Sequence, residues 1–188
     1  MKIVQINAVY EYGSTGRTTM EMHEYLRTNG QEAYVFCTNK HAPEINVYQM
    51  GCNLDYKIHS FMSRLTDGQG LYSRGATKKV LHLFDDIQPD VVILRNLHAN
   101  YIHYPSLLKY LAEKDIATIV VLHDVWTFTG HCCYYTEDQC NKWLTTCQRC
   151  PALKKYNKSW FWDNSASNFK KKLNLFRAIP CLLYTSDA

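Results

Sequence analysis

The sequence has no run approaching the ~18 uninterrupted apolar residues that a membrane-spanning helix needs. Its opening, MKIVQINAVY, carries one Lys, no long apolar stretch and no small-residue cleavage site, so it does not read as a secretory leader. Charge of one sign is scarce: twenty-one Lys and Arg against seventeen Asp and Glu leave a net +4. No basic stripe of the kind that tracks a phosphate backbone is present, which argues against a nucleic-acid partner. The G-x-G-x-x-G dinucleotide fingerprint is missing, which disfavours a nucleotide-binding oxidoreductase. There is no internal repeat, no low-complexity linker and no second-domain boundary. At 46% apolar and 20% charged residues over 188 positions, the chain has the apolar surface for one full core and is not a disordered polypeptide.

Apolar runs at Ile3–Val9, Ala33–Cys37, Val91–Leu94 and Ala117–Leu122 read as strands covered on both faces. A short third strand fits 45–50. Helical spacing falls at 18–28, 56–65, 76–87, 105–114 and 164–177, with Gly30 and Pro89 as stops. Strand–helix–strand units at 2–37 and 91–122 require right-handed crossovers and parallel strands. The expected fold class is therefore α/β, a Rossmann-like parallel sheet with helices on both faces, followed by a Cys-rich loop at 123–163. Residues 1–177 form one domain. The segment 178–188 is set apart: from Cys181 it fits nothing upstream and resembles translated adapter read-through at the end of a fragmentary gene, the alternative being a genuine short strand.

In an open parallel sheet, ligands bind outside the carboxyl ends of the strands. Three such ends carry chemistry. After the first strand comes Gly13-Ser14-Thr15-Gly16-Arg17, where glycines let backbone N–H groups approach an anion at a helix N-terminus; a capped turn with Ser14 or Thr15 as N-cap reads equally well. The strand at 91–94 ends in Arg95-Asn96-Leu97-His98. The strand at 117–122 ends in His123-Asp124, where a histidine can bond a sugar hydroxyl and the aspartate can orient it or cap the next turn. His123 reads equally as a structural histidine.

Of eight cysteines, Cys132, Cys133, Cys140, Cys147 and Cys150 fall within nineteen residues. With no export signal, a metal site is the stronger reading and a disulfide framework the weaker. Four thiolates, Cys132, Cys140, Cys147 and Cys150, suit a closed tetrahedral zinc site whose role would be structural. Reduced free cysteines are the alternative, and an iron–sulfur cluster a lesser one.

The stretch VLHDVWTFTGHCCYYTEDQCNKWLTTCQRCP resembles the His-Asp-x-Trp-x-Phe-Thr-Gly-His-Cys segment of a bacterial subgroup of family 4 glycosyltransferases. KIVQINAVYEYGSTGR is similar to their opening strand and glycine loop, and RNLHANY to their Asn-Leu-His segment. The resemblance covers about residues 2–177. It implies the N-terminal, acceptor-side half of a GT-B fold and retaining transfer from a nucleotide sugar to a glycan or lipid-linked acceptor, without a catalytic metal. Bacterial surface polysaccharide synthesis, and a cytoplasmic place at the inner face of the membrane, are implied with it. So is an incomplete chain, since nothing matches the family's donor-binding domain. It assigns His123 to the donor sugar, Gly13–Gly16 to the loop over phosphate and acceptor, and His98 to the acceptor side, with Asn96 a further substrate-binding candidate. It leaves Cys133 outside the ligand set. Lys154 to Trp162 reads as a lipid-headgroup contact or a solvated basic turn. The rival from another class is a zinc-stabilised α/β binding module without catalytic activity.

Overall fold

A computed structural model describes residues 1–38 and 44–185, the last five of these as backbone only. The strands are β1 (Lys2–Ile6), β2 (Glu32–Cys37), β3 (Val47–Gln49), β4 (Val91–Leu94), β5 (Ala117–Leu122) and β6 (Cys181–Thr185). The helices are α1 (Gly13–Thr28), α2 (Asn53–Thr66), α3 (Arg74–Ile87), α4 (Tyr104–Glu113) and α5 (Ser165–Ala178). The six strands form one sheet in the order β3-β2-β1-β4-β5-β6, every pairing parallel. Strand order reverses between β1 and β4, and a crevice at that switch point is where such sheets take ligands.

Alternation along the strands sorts two cores. Val4 and Ile6 of β1, Phe36 of β2 and Val92 and Leu94 of β4 face Val80 and Phe84 of α3 and Leu107, Leu108 and Leu111 of α4. On the other face Val35, Cys37 and Val47 pack with Tyr10 and with Met20 of α1. Helices thus cover both faces, and strands covered on both sides are mostly apolar. This is the Rossmann-like arrangement.

Two expectations need correcting. The first helix does not start at Thr18 but at Gly13, so the glycine segment is its first turn. Gly13 has φ +66°, open to glycine without strain, and a side chain at Gly16 would crowd the backbone of Tyr10 and Glu11 at 3.3 Å. The buried Asn7 amide fixes this entry by donating to Val9 O (2.9 Å), Thr15 O (3.2 Å) and Thr19 Oγ1 (2.9 Å). The second concerns only how the tail fits, not its origin. Cys181–Thr185, read as fitting nothing upstream, pairs in register with 118–122, where β5 otherwise leaves a sheet edge unpaired. Residues 186–188 of that segment lie outside the described residues. Among the described residues, no helix is long and apolar enough to cross a membrane.

The segment 126–163 contains only two short 3₁₀ turns, Trp126–Phe128 and Lys142–Leu144. It is tied to the body by a buried pair, His131 Nδ1 with Asp67 Oδ1. Asp67 also accepts from the Asn164 backbone N–H at 3.0 Å, and its carbonyl accepts from the Asn168 amide at 2.6 Å.

Candidate functional site

At the switch point the carboxyl ends of β1, β4 and β5 open onto a cavity of about 460 Å³. Ser14, Thr15, Thr18, Asn96, His98, His123, Asp124 and Tyr134 line it. The structure therefore brings together Ser14 and Thr15, Asn96 and His98, and His123 and Asp124 on one rim. A neighbouring cavity of about 540 Å³ lies outside β1–β4. Ala8, Thr38, Met50 and Asn100 are among its walls, and it shares His98 with the first. We place the chemistry in the smaller space, because His98 is the one histidine lining the larger and the α2 N-terminus beside that cavity is already capped, Asp55 Oδ2 accepting from the Cys52 N–H at 3.0 Å.

Helix α1 enters that cavity uncapped. Its N-cap is Tyr12, which makes no side-chain bond to the first turn, and that turn holds no acidic residue. The alternative of Ser14 or Thr15 as N-cap does not hold, since both lie inside the helix. Free N–H groups and the positive end of the helix dipole face the space beside Ser14 and Thr15. Arg17 is exposed and does not line the cavity. Gly13 and Gly16 shape the turn without lining it.

The cation at the site is Arg95, at the end of β4 and 8% exposed. Its guanidinium contacts Thr18 Oγ1 at 3.4 Å and His123 Nε2 at 3.2 Å. Its Nε has no partner, and among the described residues no carboxylate lies within 4.0 Å of it. Arginine stays protonated and only donates. His123 Nε2 must then accept, which puts the imidazole proton on Nδ1. Burial first, then the Arg95 charge, lowers the His123 pKa below the ordinary histidine value. His123 is thus a neutral hydrogen-bond donor through Nδ1.

Asp124 does not orient His123. It pairs with His98, Nε2 to Oδ2 at 2.7 Å, and its other oxygen caps the following turn by accepting from Trp126 N–H at 2.8 Å. Burial raises its pKa, but the His98 bond and charge outweigh that, so the carboxyl is held below its usual range. The ionised carboxylate needs a proton on His98 Nε2, and the tautomer that carries its single proton there presents Nδ1 as an acceptor.

Cys132, Cys140, Cys147 and Cys150 line one small separate cavity with Thr129, Trp143 and Pro151. Cys133 does not. It lies in the main core and accepts from Asn157 Nδ2 at 3.0 Å. No disulfide links the described cysteines.

Sequence reading passed over Asn7, Asp67 and Lys172, and quoted Arg95 without giving it a role. Each is polar at a position with no periodic signal. The one available hint was a basic residue directly after the apolar run 91–94.

The chain matches no protein-family model. Over 73 residues, 36% of its length, it is 32% identical to a protein of Escherichia coli (strain K12) named as a colanic acid biosynthesis glycosyl transferase, WcaC. The match covers 18% of that protein's length.

Proposed function

We propose that the chain is the acceptor-side domain of a glycosyltransferase that moves a sugar, with retention, from a nucleotide-sugar donor to a glycan or lipid-linked acceptor in bacterial surface polysaccharide synthesis. The observation that carries this reading is the shared cavity. An uncapped helix N-terminus and two histidines line it, and directly behind its wall the buried Arg95 guanidinium, with no carboxylate beside it, bonds the lining residues Thr18 and His123. The partial likeness to WcaC supports it.

Cleavage of the bond between the anomeric carbon and the diphosphate leaves positive charge on the sugar and negative charge on the departing oxygen. The N–H groups of the first turn of α1 and the Arg95 guanidinium answer the negative charge. His123 Nδ1–H donates to a sugar hydroxyl. His98 Nδ1, set as an acceptor by Asp124, takes the hydrogen bond of the incoming acceptor hydroxyl and orients its oxygen toward the anomeric carbon. A donor-binding domain of the GT-B kind closes over this rim to keep water from hydrolysing the donor. Without it the 188-residue chain turns over negligibly.

The lipid side of the reading rests on an exposed ridge. Ile58 and Phe61 of α2 join Trp160, Phe161 and Trp162, with Phe61 and Trp160 edge to face at 5.8 Å. Lys57, Arg64 and Lys158 are exposed alongside in sequence. An apolar ridge flanked by cations suits the face of an anionic bilayer.

The test is to express the complete reading frame and assay nucleotide sugars with lipid-linked acceptors, reading the product anomer by NMR. Transfer with the donor's anomeric configuration supports the reading. Absence of transfer from every donor, with the protein folded, ends it.

A further inference from the structure

The loop 126–163 has almost no regular structure, yet four of its cysteines are brought around one space. Cys132, Cys140, Cys147 and Cys150 surround one cavity. The backbone N–H of Gly130 points at Cys147 Sγ from 3.2 Å, and the Cys150 N–H is fixed by Asp163 at 2.7 Å. Backbone N–H groups directed at sulfur are what a thiolate needs around it.

A second observation is independent of the thiols. Lys172 of α5 is 1% exposed. Its Nζ lies 3.8 Å from the centre of the Trp126 ring and donates to the Trp126 carbonyl at 2.5 Å. Among the described residues no carboxylate lies within 4.0 Å of it. The groups whose negative charge acts on it are Cys133, Asp67, Cys147 and Cys132. Asp67 is already held by His131 and two backbone or amide contacts. A buried ammonium is retained when an anion compensates it. Of the three thiols among those groups, Cys147 and Cys132 become anions on binding metal, while Cys133 stays outside the ligand set.

We propose that Cys132, Cys140, Cys147 and Cys150 bind one divalent cation of the zinc class, with the Lys172 ammonium as the counter-charge of the resulting tetrathiolate. Four thiolates around a divalent ion carry a net charge of minus two. The four S–H protons pass to solvent as the metal–sulfur bonds form. Binding draws the sulfurs in to roughly 2.3 Å from the ion, a shift that a segment built of turns can take. With no coordination position left open, the ion orders the loop and does not touch substrate. The rival set is His98, Asp124 and Cys133, the one group of three ligand atoms within 4.8 Å of one another among the described residues. There His98 and Asp124 are committed to each other, and Asn157 holds Cys133.

The experiment is metal analysis of the full 188-residue chain purified without chelator, followed by cobalt substitution. The expected result is one zinc per chain and, with cobalt, sulfur-to-metal charge-transfer bands. Both are lost in Cys147→Ser and kept in Cys133→Ser and His98→Asn. Native thiol titration guards against a misfolded variant: in the unmutated chain, four thiols become reactive only after metal is stripped. Lys172→Met weakens zinc at least tenfold in chelator competition, and Lys172→Arg restores most of that loss. Metal absent from the unmutated chain overturns the site, as does metal kept by Cys147→Ser and lost from Cys133→Ser. Unchanged affinity in Lys172→Met overturns the counter-charge. These readouts do not depend on sugar transfer.

Discussion

Arg95 and His123 face each other across 3.2 Å at the ends of β4 and β5, guanidinium to Nε2. The contact sets the histidine tautomer, and its charge adds to burial, the larger cause, in lowering the ring's pKa. Arg95→Met removes a repelling charge and an obligate donor. The His123 pKa then rises toward the ordinary histidine value, read by ¹³C-edited NMR of the imidazole across a pH series. A pKa that stays put or falls would show that Arg95 does not govern the ring.

Two other histidines make the fold sensitive to acid. Burial, then the nearby His103, takes His59 down to about 4. Burial, then Arg74, takes His103 down to about 4, and its Nδ1 must stay unprotonated to accept the Ser106 N–H that caps α4. Unfolded imidazoles titrate near 6.5. With depressed folded values, the unfolded chain binds the extra protons. Stability is full above about pH 6.5 and is lost as pH falls toward 4. Near pH 5 each histidine adds a slope of about 1.4 kcal/mol per pH unit. Urea unfolding at half-unit steps checks this, and a flat profile from 6.5 to 4.5 contradicts it.

Asn7→Ala strips four bonds, three donated by Nδ2 and one accepted by Oδ1 from the Ala8 N–H, from a fully buried amide that pins the β1–α1 entry. The expected cost is about 1–3 kcal/mol, measured by chemical denaturation. Gly130→Ala acts at the other side of the molecule, where an added Cβ overlaps the Ser165 carbonyl and sits 2.7 Å from Cys147 Cβ. It destabilises by about 1–3 kcal/mol. A neutral result at either position removes the packing role assigned to it.

The exposed aromatic ridge predicts lipid-dependent behaviour. Phe161→Ser with Trp162→Ser leaves the fold intact, because both side chains are exposed. Co-sedimentation with vesicles containing anionic lipid drops several-fold in the double variant. Equal sedimentation of both proteins assigns this segment to solvent instead.

The sheet was legible because strands covered on both faces are mostly apolar, as at 91–94 and at 119–122. Helix α4 was legible from Leu107, Leu108 and Leu111. The start of α1 was not: Gly13 and Gly16 argue locally for a turn, and the amide of Asn7 is what holds that segment as helix. The histidines and Asp124 were legible as strand-end residues, but their pairing was not. Sequence adjacency suggested Asp124 with His123, whereas neighbouring residues on an extended segment diverge. Asp124 instead meets His98 in the loop that follows β4. The Asp67–His131 pair joins residues 64 apart, and Lys172 looked like one more cation on an amphipathic helix. No local pattern marks either.

The central claim is that His123 touches the sugar during transfer. In the complete enzyme, His123→Ala is compared with the unmutated protein by steady-state kinetics with a nucleotide-sugar donor. The account predicts a fall in kcat on the order of 10²–10³-fold, with folding and donor affinity largely kept. Near-normal turnover by the alanine variant would contradict it.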